Sequence, residues 1–337
     1  MTAYYTTFSK EDLAEILAME ADRFQTLKYT PENFKTETGA VLGEYNKNSS
    51  DPEEKLDEVL HDTAFDRHTY KHTTMGFLKD VQDMPNQYDY SLQFFDRYYR
   101  PEYTTIVVAG DVDAKKVRTL VDQYWGNWKR GSYHPDIPPE PAQQGPRENK
   151  IDWPSPTLPL LEIAFHGPAY SDSDKDWAAL DALATLAFSR NSDLYEKLVV
   201  REQKVDRLVG DMSQSVDPNL FSVDARVKNA GDLSYVRAQI LETIKRFQDE
   251  LVPAEKLNAV KSRERYGFTM QLDNSQSVAA AVARYIALRR TPDTIDKVYA
   301  LYSGLTPEDI RAAARKYLIE NNRTIVTLTG PAGGGGK

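Results

Sequence analysis

The stretch Tyr98–Gly110, YYRPEYTTIVVAG, has a second copy near the end of the chain, Tyr317–Thr329, YLIENNRTIVTLT. Tyr98 matches Tyr317, and Thr105-Ile106-Val107 matches Thr324-Ile325-Val326, an offset of 219 residues. Each copy reads as a helix end, a turn and a strand, because β-branched residues follow one another without a polar break. The match extends upstream: Phe8–Leu13 parallels Val227–Leu233, Arg23-Phe24 parallels Arg246-Phe247, and Thr30–Phe34 parallels Val252–Leu257. The offset drifts between 219 and 223, as small insertions would produce. A period this long is too large for a solenoid and marks a duplicated domain.

Working outward, the first copy predicts helices over Ser9–Leu27, Thr30–Asn48, Asp51–Phe65, Asn86–Tyr99 and Asp113–Trp125, with strands at Thr2–Phe8 and Thr104–Gly110. Asp66–Gly76 has no apolar period and reads as a loop. Periodicity stops between Asn127 and Pro156, a proline-rich run that reads as a linker. Beyond it the pattern predicts strands at Leu160–His166, Arg207–Ser213, Leu220–Val227 and Arg323–Thr329. Helices are predicted at Asp174–Phe188, Asp193–Val200 and Leu233–Glu250, then a long helical region from Pro253 to Leu288, and helices at Thr294–Tyr302 and Pro307–Tyr317. The expected division is 1–130, a linker at 131–157, a second domain at 158–330 and a flexible tail at 331–337. The second copy's opening strand and helix precede the part that matches Met1. The first copy is therefore expected to lack its own opening elements, and the absence of a leader before a Thr/Tyr-rich run gives the same expectation.

Composition narrows the function classes. The 337 residues are 40% hydrophobic and 28% charged, and a net charge of −9 argues against a nucleic-acid partner. No run approaches the roughly 20 apolar residues that span a bilayer. The absence of cysteine excludes disulfides, thiolate metal sites and cysteine nucleophiles. It suits either side of a bacterial inner membrane, so a periplasmic and a cytoplasmic location stay equally open.

The candidate chemistry lies on the predicted helix Thr30–Asn48. Thr30 is placed to cap it, Pro31 fits its first position, and Phe34, Val41 and Tyr45 form an apolar stripe. Glu37 and Glu44 are seven residues apart, so they return to within about 20° of one azimuth and flank that stripe. Two carboxylates on one line suit a metal, a shared proton or plain solvent, and on this helix alone solvent is the simplest reading. The repeat adds an asymmetry, because Glu37 and Glu44 project onto Val260 and Gly267 in the second copy. His68 and His72 form an H-x-x-x-H pair, but in a segment without helical period they read as a solvent-exposed loop pair. The aromatic cluster Tyr88–Tyr103 reads as core.

Together these pieces resemble the pitrilysin/insulinase family of zinc peptidases, the inverted-motif group that includes the processing peptidases. The pieces are T-x-YY-x-T-F at Thr2–Phe8, E-x6-E in TETGAVLGEY, HTYKHTTMG, YYRPEYTTIVVAGDVD, FHGPAYSDSDKDWAALDAL and LYEKLVVREQ. The resemblance and the duplication together predict an α+β (α/β) fold of two homologous domains, each a mixed, mainly antiparallel sheet with helices packed on one face. Residues 1–130 would be the later portion of a catalytic-type domain and 158–330 its non-catalytic homologue. The resemblance implies zinc as cofactor, with Glu44 as a metal ligand and Glu37 as the acid that supports a ligand imidazole. It also implies an unfolded peptide as substrate, and a homo- or hetero-oligomer with a homologue as an alternative role. Two departures stand out. No H-x-x-E-H occurs in this sequence, so the general base and two ligands of the family's site have no counterpart among its residues. The family's Arg/Tyr pair falls on Arg201 and Leu208, so the tyrosine is replaced. The reading is thus a zinc metalloendopeptidase lineage whose chain is N-terminally cut, or a non-catalytic scaffold or partner subunit.

Overall fold

The computed structural model describes residues 1–331. The expected tail 331–337 lies outside them except for Pro331. The described residues form two compact units, neither of them continuous in sequence. One comprises Met1–Tyr45, Phe77–Asp136 and Gly267–Pro292; the other comprises Asn46–Gly76, Ile137–Tyr266 and the chain from Asp293 on.

The second unit is built on a five-stranded mixed sheet. Its strands are β1 (Arg147–Asp152), β2 (Leu160–His166), β3 (Val205–Met212), β4 (Leu220–Val227) and β5 (Arg323–Thr329), in the order β1-β5-β2-β4-β3. β1 runs parallel to β5, and every other pair is antiparallel. Side chains alternate between faces along each strand, so register decides which residues share a side. One face carries Leu161, Ile163, Phe165, Phe221, Val223, Ala225 and Ile325, all buried. Three helices cover it: α7 (Asp176–Phe188) lies on β3 and β4, α9 (Leu233–Asp249) on β4, and α13 (Pro307–Tyr317) against both helices. The sequence of α7, DWAALDALATLAF, is apolar on nearly all sides, as burial on every side requires. It approaches β3 so closely that a Cβ on Gly210 would lie 2.6 Å from the Phe188 ring. α13 opens with a capping box, Thr306 and Asp309 each accepting from the other's backbone N–H, behind Pro307.

On the opposite face α3 (Pro52–Ala64) seats Leu56, Leu60 and Ala64, together with Phe65, on Leu160, Ala164, Leu220, Val326 and Leu328. Asp51 caps α3 by accepting from Glu53 N at 2.9 Å. Its last carbonyls are satisfied from the sheet: Arg147 donates to Thr63 O and Ala64 O at 2.9 and 2.8 Å, and His166 Nε2 reaches Ala64 O at 2.9 Å. A guanidinium at a helix C-terminus meets both the unpaired carbonyls and the negative end of the dipole.

The first unit holds α1 (Leu13–Thr26), most of α2 (Pro31–Asn48), α4 (Leu78–Asp83), α5 (Tyr88–Tyr98), α6 (Ala114–Trp125) and α11 (Ser275–Arg289). α1 buries Leu13, Leu17 and Ala21, and Phe24 meets Trp125 and Trp128 edge-on or tilted at 5.6 and 6.2 Å. The remaining helices are the single turn α8 (Asp193–Tyr195), α10 (Ala254–Gln271) and α12 (Thr294–Ser303).

The duplication is visible in the element boundaries. α5 and α13 are each 11 residues long at an offset of 219, and α2 and α10 are each 18 residues long. α1 and α9 both follow a 3₁₀ turn, Lys10–Asp12 and Ala230–Asp232. α3 and α11 are also counterparts, and they change places: α3 belongs to the unit built mainly from the second half, and α11 to the unit built from the first.

Several local expectations are corrected. Thr2–Phe8 and Thr104–Gly110 form no strand; among the described residues all five strands belong to the second unit. β-propensity makes a backbone extended, but a strand needs a paired neighbour, and these two segments have none. α5 buries no residue fully, and Tyr90 and Phe94 are exposed, so the aromatic cluster is no core. Its counterpart α13 buries Ile310, Ala313 and Ala314 above a sheet, whereas the first unit presents α5 with none. The predicted linker contains β1, an edge strand whose residues RENKID are mostly exposed on both faces and so show no apolar alternation. The long region Pro253–Leu288 is two helices, divided where Asn274 caps α11 by accepting from Ser277 N at 2.9 Å.

Candidate functional site

α2 forms as its sequence predicts. Thr30 Oγ1 accepts from Asn33 N at 3.2 Å, and Phe34 N makes the first helical bond to Thr30 O at 3.0 Å. Glu32 is held below the usual carboxylate range by its own backbone N–H and by the Thr30 hydroxyl, at the positive end of the helix. The buried line is Phe34, Thr38, Val41 and Tyr45, with Thr38 and Tyr45 fully buried. Thr38 escapes an apolar count because its hydroxyl bonds within the helix, to Lys35 O at 2.9 Å, leaving its methyl free to pack.

Glu37 and Glu44 lie together beside that line and both are exposed. Seven residues of rise separate them by about 10.5 Å along the axis. Neither accepts a hydrogen bond or joins an ion pair among the described residues. Of their projected counterparts, Val260 is buried in α10 and Gly267 carries no side chain, so this carboxylate line belongs to one copy only. Zinc takes three or four protein ligands in tetrahedral array. Among the described residues no three His, Asp or Glu side chains come together to hold a metal ion. One or two carboxylates on one helix face do not by themselves fit zinc.

The remaining sequence candidates are placed as follows. Arg201 ends a π-helical turn (Glu196–Arg201), exposed, with Nε 3.7 Å from Glu196 Oε1. Leu208 is 2% exposed and points to the helix-covered face of the sheet. They do not form a matched pair of polar groups. His68 corrects the expectation of an exposed loop pair: it is 4% exposed, its Nδ1 accepts from Tyr70 N at 3.0 Å, and its Nε2 stands 3.4 Å from Asp217. His72 is exposed. His166 is held below the usual imidazole range by burial, with its Nε2–H committed to Ala64 O.

Sequence reading missed two other groups. Glu140, inside the predicted linker, accepts from three successive backbone N–H groups, Asp66, Arg67 and His68, at 2.7–2.9 Å. Burial raises its pKa, but these bonds outweigh it and the carboxyl is held low. Glu162 and Asp224, facing each other across β2 and β4, lie at the open end of the sheet face that α3 covers. Glu162 is the lone charge in LLEIAFH, and that break in an apolar run was the available signal.

The chain is similar to known proteins along nearly its whole length. Residues 1–77 match the model described as Insulinase (Peptidase family M16), and residues 87–264 match the one described as Peptidase M16 inactive domain. A protein of Helicobacter pylori described as zinc protease PqqE is 23% identical over 333 residues, covering 97% of this chain and 74% of that protein. A probable mitochondrial-processing peptidase subunit beta of Arabidopsis thaliana is 24% identical over 351 residues, covering 97% of this chain and 62% of that protein. The crystal structure of a protease from Helicobacter pylori superposes with a TM-score of 0.87 at 22% identity, over 96% of this chain and 78% of that one. No helix among the described residues is long and apolar enough to cross a membrane.

Proposed function

This chain belongs to the M16 peptidase family, and we propose that it is part of a zinc-dependent metalloendopeptidase acting on unfolded peptides. In this reading Glu44 contributes one carboxylate to a zinc site whose other ligands are not among the described residues, and Glu37 supports a ligand imidazole there. The observation that carries it is the Glu37/Glu44 line: exposed, without partners among the described residues, and absent from the second copy. The relatives described as zinc proteases support the cofactor.

The test uses the full product of the gene that encodes this chain, with a quenched fluorescent peptide as substrate. Glu44→Gln is expected to lower bound zinc and zinc-dependent cleavage together, and Glu37→Gln to cost about 10–100-fold, as loss of a ligand's supporting partner does. Full zinc content and unaltered cleavage in Glu44→Gln would sink this assignment.

One observation favours a second reading, that of a non-catalytic partner subunit. Leu208 is sealed in the core, at the position where the resemblance places the tyrosine that active members often use to grip substrate. Relatives described as processing-peptidase subunits support an assembly of this kind. Co-expression with an active homologue decides it: a stable complex, with cleavage unaffected by Glu44→Gln, is the outcome a scaffold requires.

A further inference from the structure

The sheet face under α3 is only partly covered. α3 packs on β1, β5 and β2, so the β4–β3 end is left as a pocket of about 430 Å³, within the range of small-molecule sites at roughly 300–1,000 Å³. Glu162 and Asp224 are cross-strand partners in it, with Asp57 of α3 and Asp211 of β3 alongside. Leu56, Leu60, Val209 and Leu220 supply apolar lining.

The bases near this pocket make their hydrogen bonds to groups other than Glu162 and Asp224. Arg207 donates through Nη1 to Glu53 Oε2 at 2.7 Å, and its Nε is buried with no acceptor. Arg226 forks onto both Asp206 oxygens at 2.8 Å. His61 gives Nδ1 to Tyr70 O at 2.6 Å, and its Nε2 is 3.6 Å from Asp57. Glu162, 6% exposed and lining the pocket, accepts no hydrogen bond and joins no ion pair among the described residues. Burial, then the charges of Asp224 and Asp57, push its carboxyl well above the usual range. Burial pushes Asp224 up to about 6, against the pull of Arg207. Ionising a buried carboxyl that has no partner is costly, and a cation seated beside it removes that cost.

We propose that this pocket binds an organic cation, an alkylammonium or guanidinium head seated between Glu162 and Asp224 with its alkyl stem on Leu56, Leu60 and Val209. The combination of acids and apolar lining matches the two-part chemistry of a lysine or arginine side chain or of a free alkylamine. A metal ion fits less well, since no three His, Asp or Glu side chains among the described residues gather closely enough to hold one.

Calorimetric titration of the whole chain tests it with three probes: a blocked pentapeptide with one central arginine, its citrulline twin, and free butylguanidine. The arginine peptide or butylguanidine is expected to bind, the citrulline twin at least tenfold more weakly, and binding to strengthen from pH 5 to pH 8 as Asp224 releases its proton. The paired change Glu162→Gln with Asp224→Asn should abolish binding, and Asp57→Asn, at a half-buried position of the pocket wall, should weaken it several-fold. Tighter binding of the peptide than of butylguanidine assigns the cation to a side chain; equal binding assigns it to a free amine. Equal binding of arginine and citrulline peptides, no binding of any cationic probe, or affinity unchanged by all three substitutions overturns the proposal.

Discussion

Leu60→Ala is the sharpest test of how α3 is used. Leu60 is 1% exposed and lies against Leu160, Ala164, Leu220, Val326 and Leu328 in the second unit, although its place in the sequence is among first-half elements. Removing its three outer carbons forfeits roughly 2.4 kcal/mol of transfer free energy at about 0.8 kcal/mol per carbon. The cavity left in a sheet-backed cluster raises the total to about 3–4 kcal/mol, inside the range of about 2–5 for such truncations. At about 2–4 °C per kcal/mol for a unit of this size, the Tm should fall by roughly 6–16 °C. Hydrogen exchange read by mass spectrometry locates the effect. Amides of β2 and β5 should lose protection by roughly 10²–10³-fold while those of α1 and α6 keep theirs. Leu17→Ala, which truncates a residue 5% exposed in α1, should give the reverse pattern. If Leu60→Ala leaves β2 and β5 unchanged and loosens α1 instead, the placement of α3 on the sheet is wrong.

Three further outcomes follow from the same structure. Asp224 ionises near 3.9 in an unfolded chain and at about 6 when folded, so the unfolded state releases its proton first. Its contribution is whole below about pH 4 and is lost as pH rises to about 6, on the order of 3 kcal/mol; Asp224→Asn should therefore be more stable than wild type at pH 7.5 and equal to it near pH 4, and a less stable variant at pH 7.5 refutes the argument. Glu140→Ala strips the acceptor from three successive N–H groups, at a cost of roughly 1–3 kcal/mol, and should speed exchange of the Asp66, Arg67 and His68 amides before any others; unaltered exchange there rules the capping role out. Gly210→Ala forces a Cβ into the Phe188 ring and should destabilise by about 1–3 kcal/mol in urea titration, with a neutral result showing that α7 can retreat from β3.

The duplication, the family and most helices were legible because they rest on local signals: caps, periodicity and repeated words such as Thr-Ile-Val. α2 needed only Thr30, Pro31 and its buried line, and the shared azimuth of Glu37 and Glu44 follows from helix geometry alone. What they face could not be read, since azimuth fixes direction and not neighbours. Strands were the weak point for a related reason. Thr2–Phe8 and Thr104–Gly110 have the composition of strands and lack partners, while RENKID has no strand composition and gains one through parallel pairing with β5. The exchange of α3 and α11 between units, the burial of His68 and the opposition of Glu162 to Asp224 all depend on contacts between residues far apart in the chain. Sequence by itself determined most of the helical segments, that the molecule is built twice, and which copy carries the carboxylate line. Only the tertiary structure decided which sheet each helix covers and where its cover stops, because burial and pairing belong to neighbours in space, and a linear pattern carries no record of them.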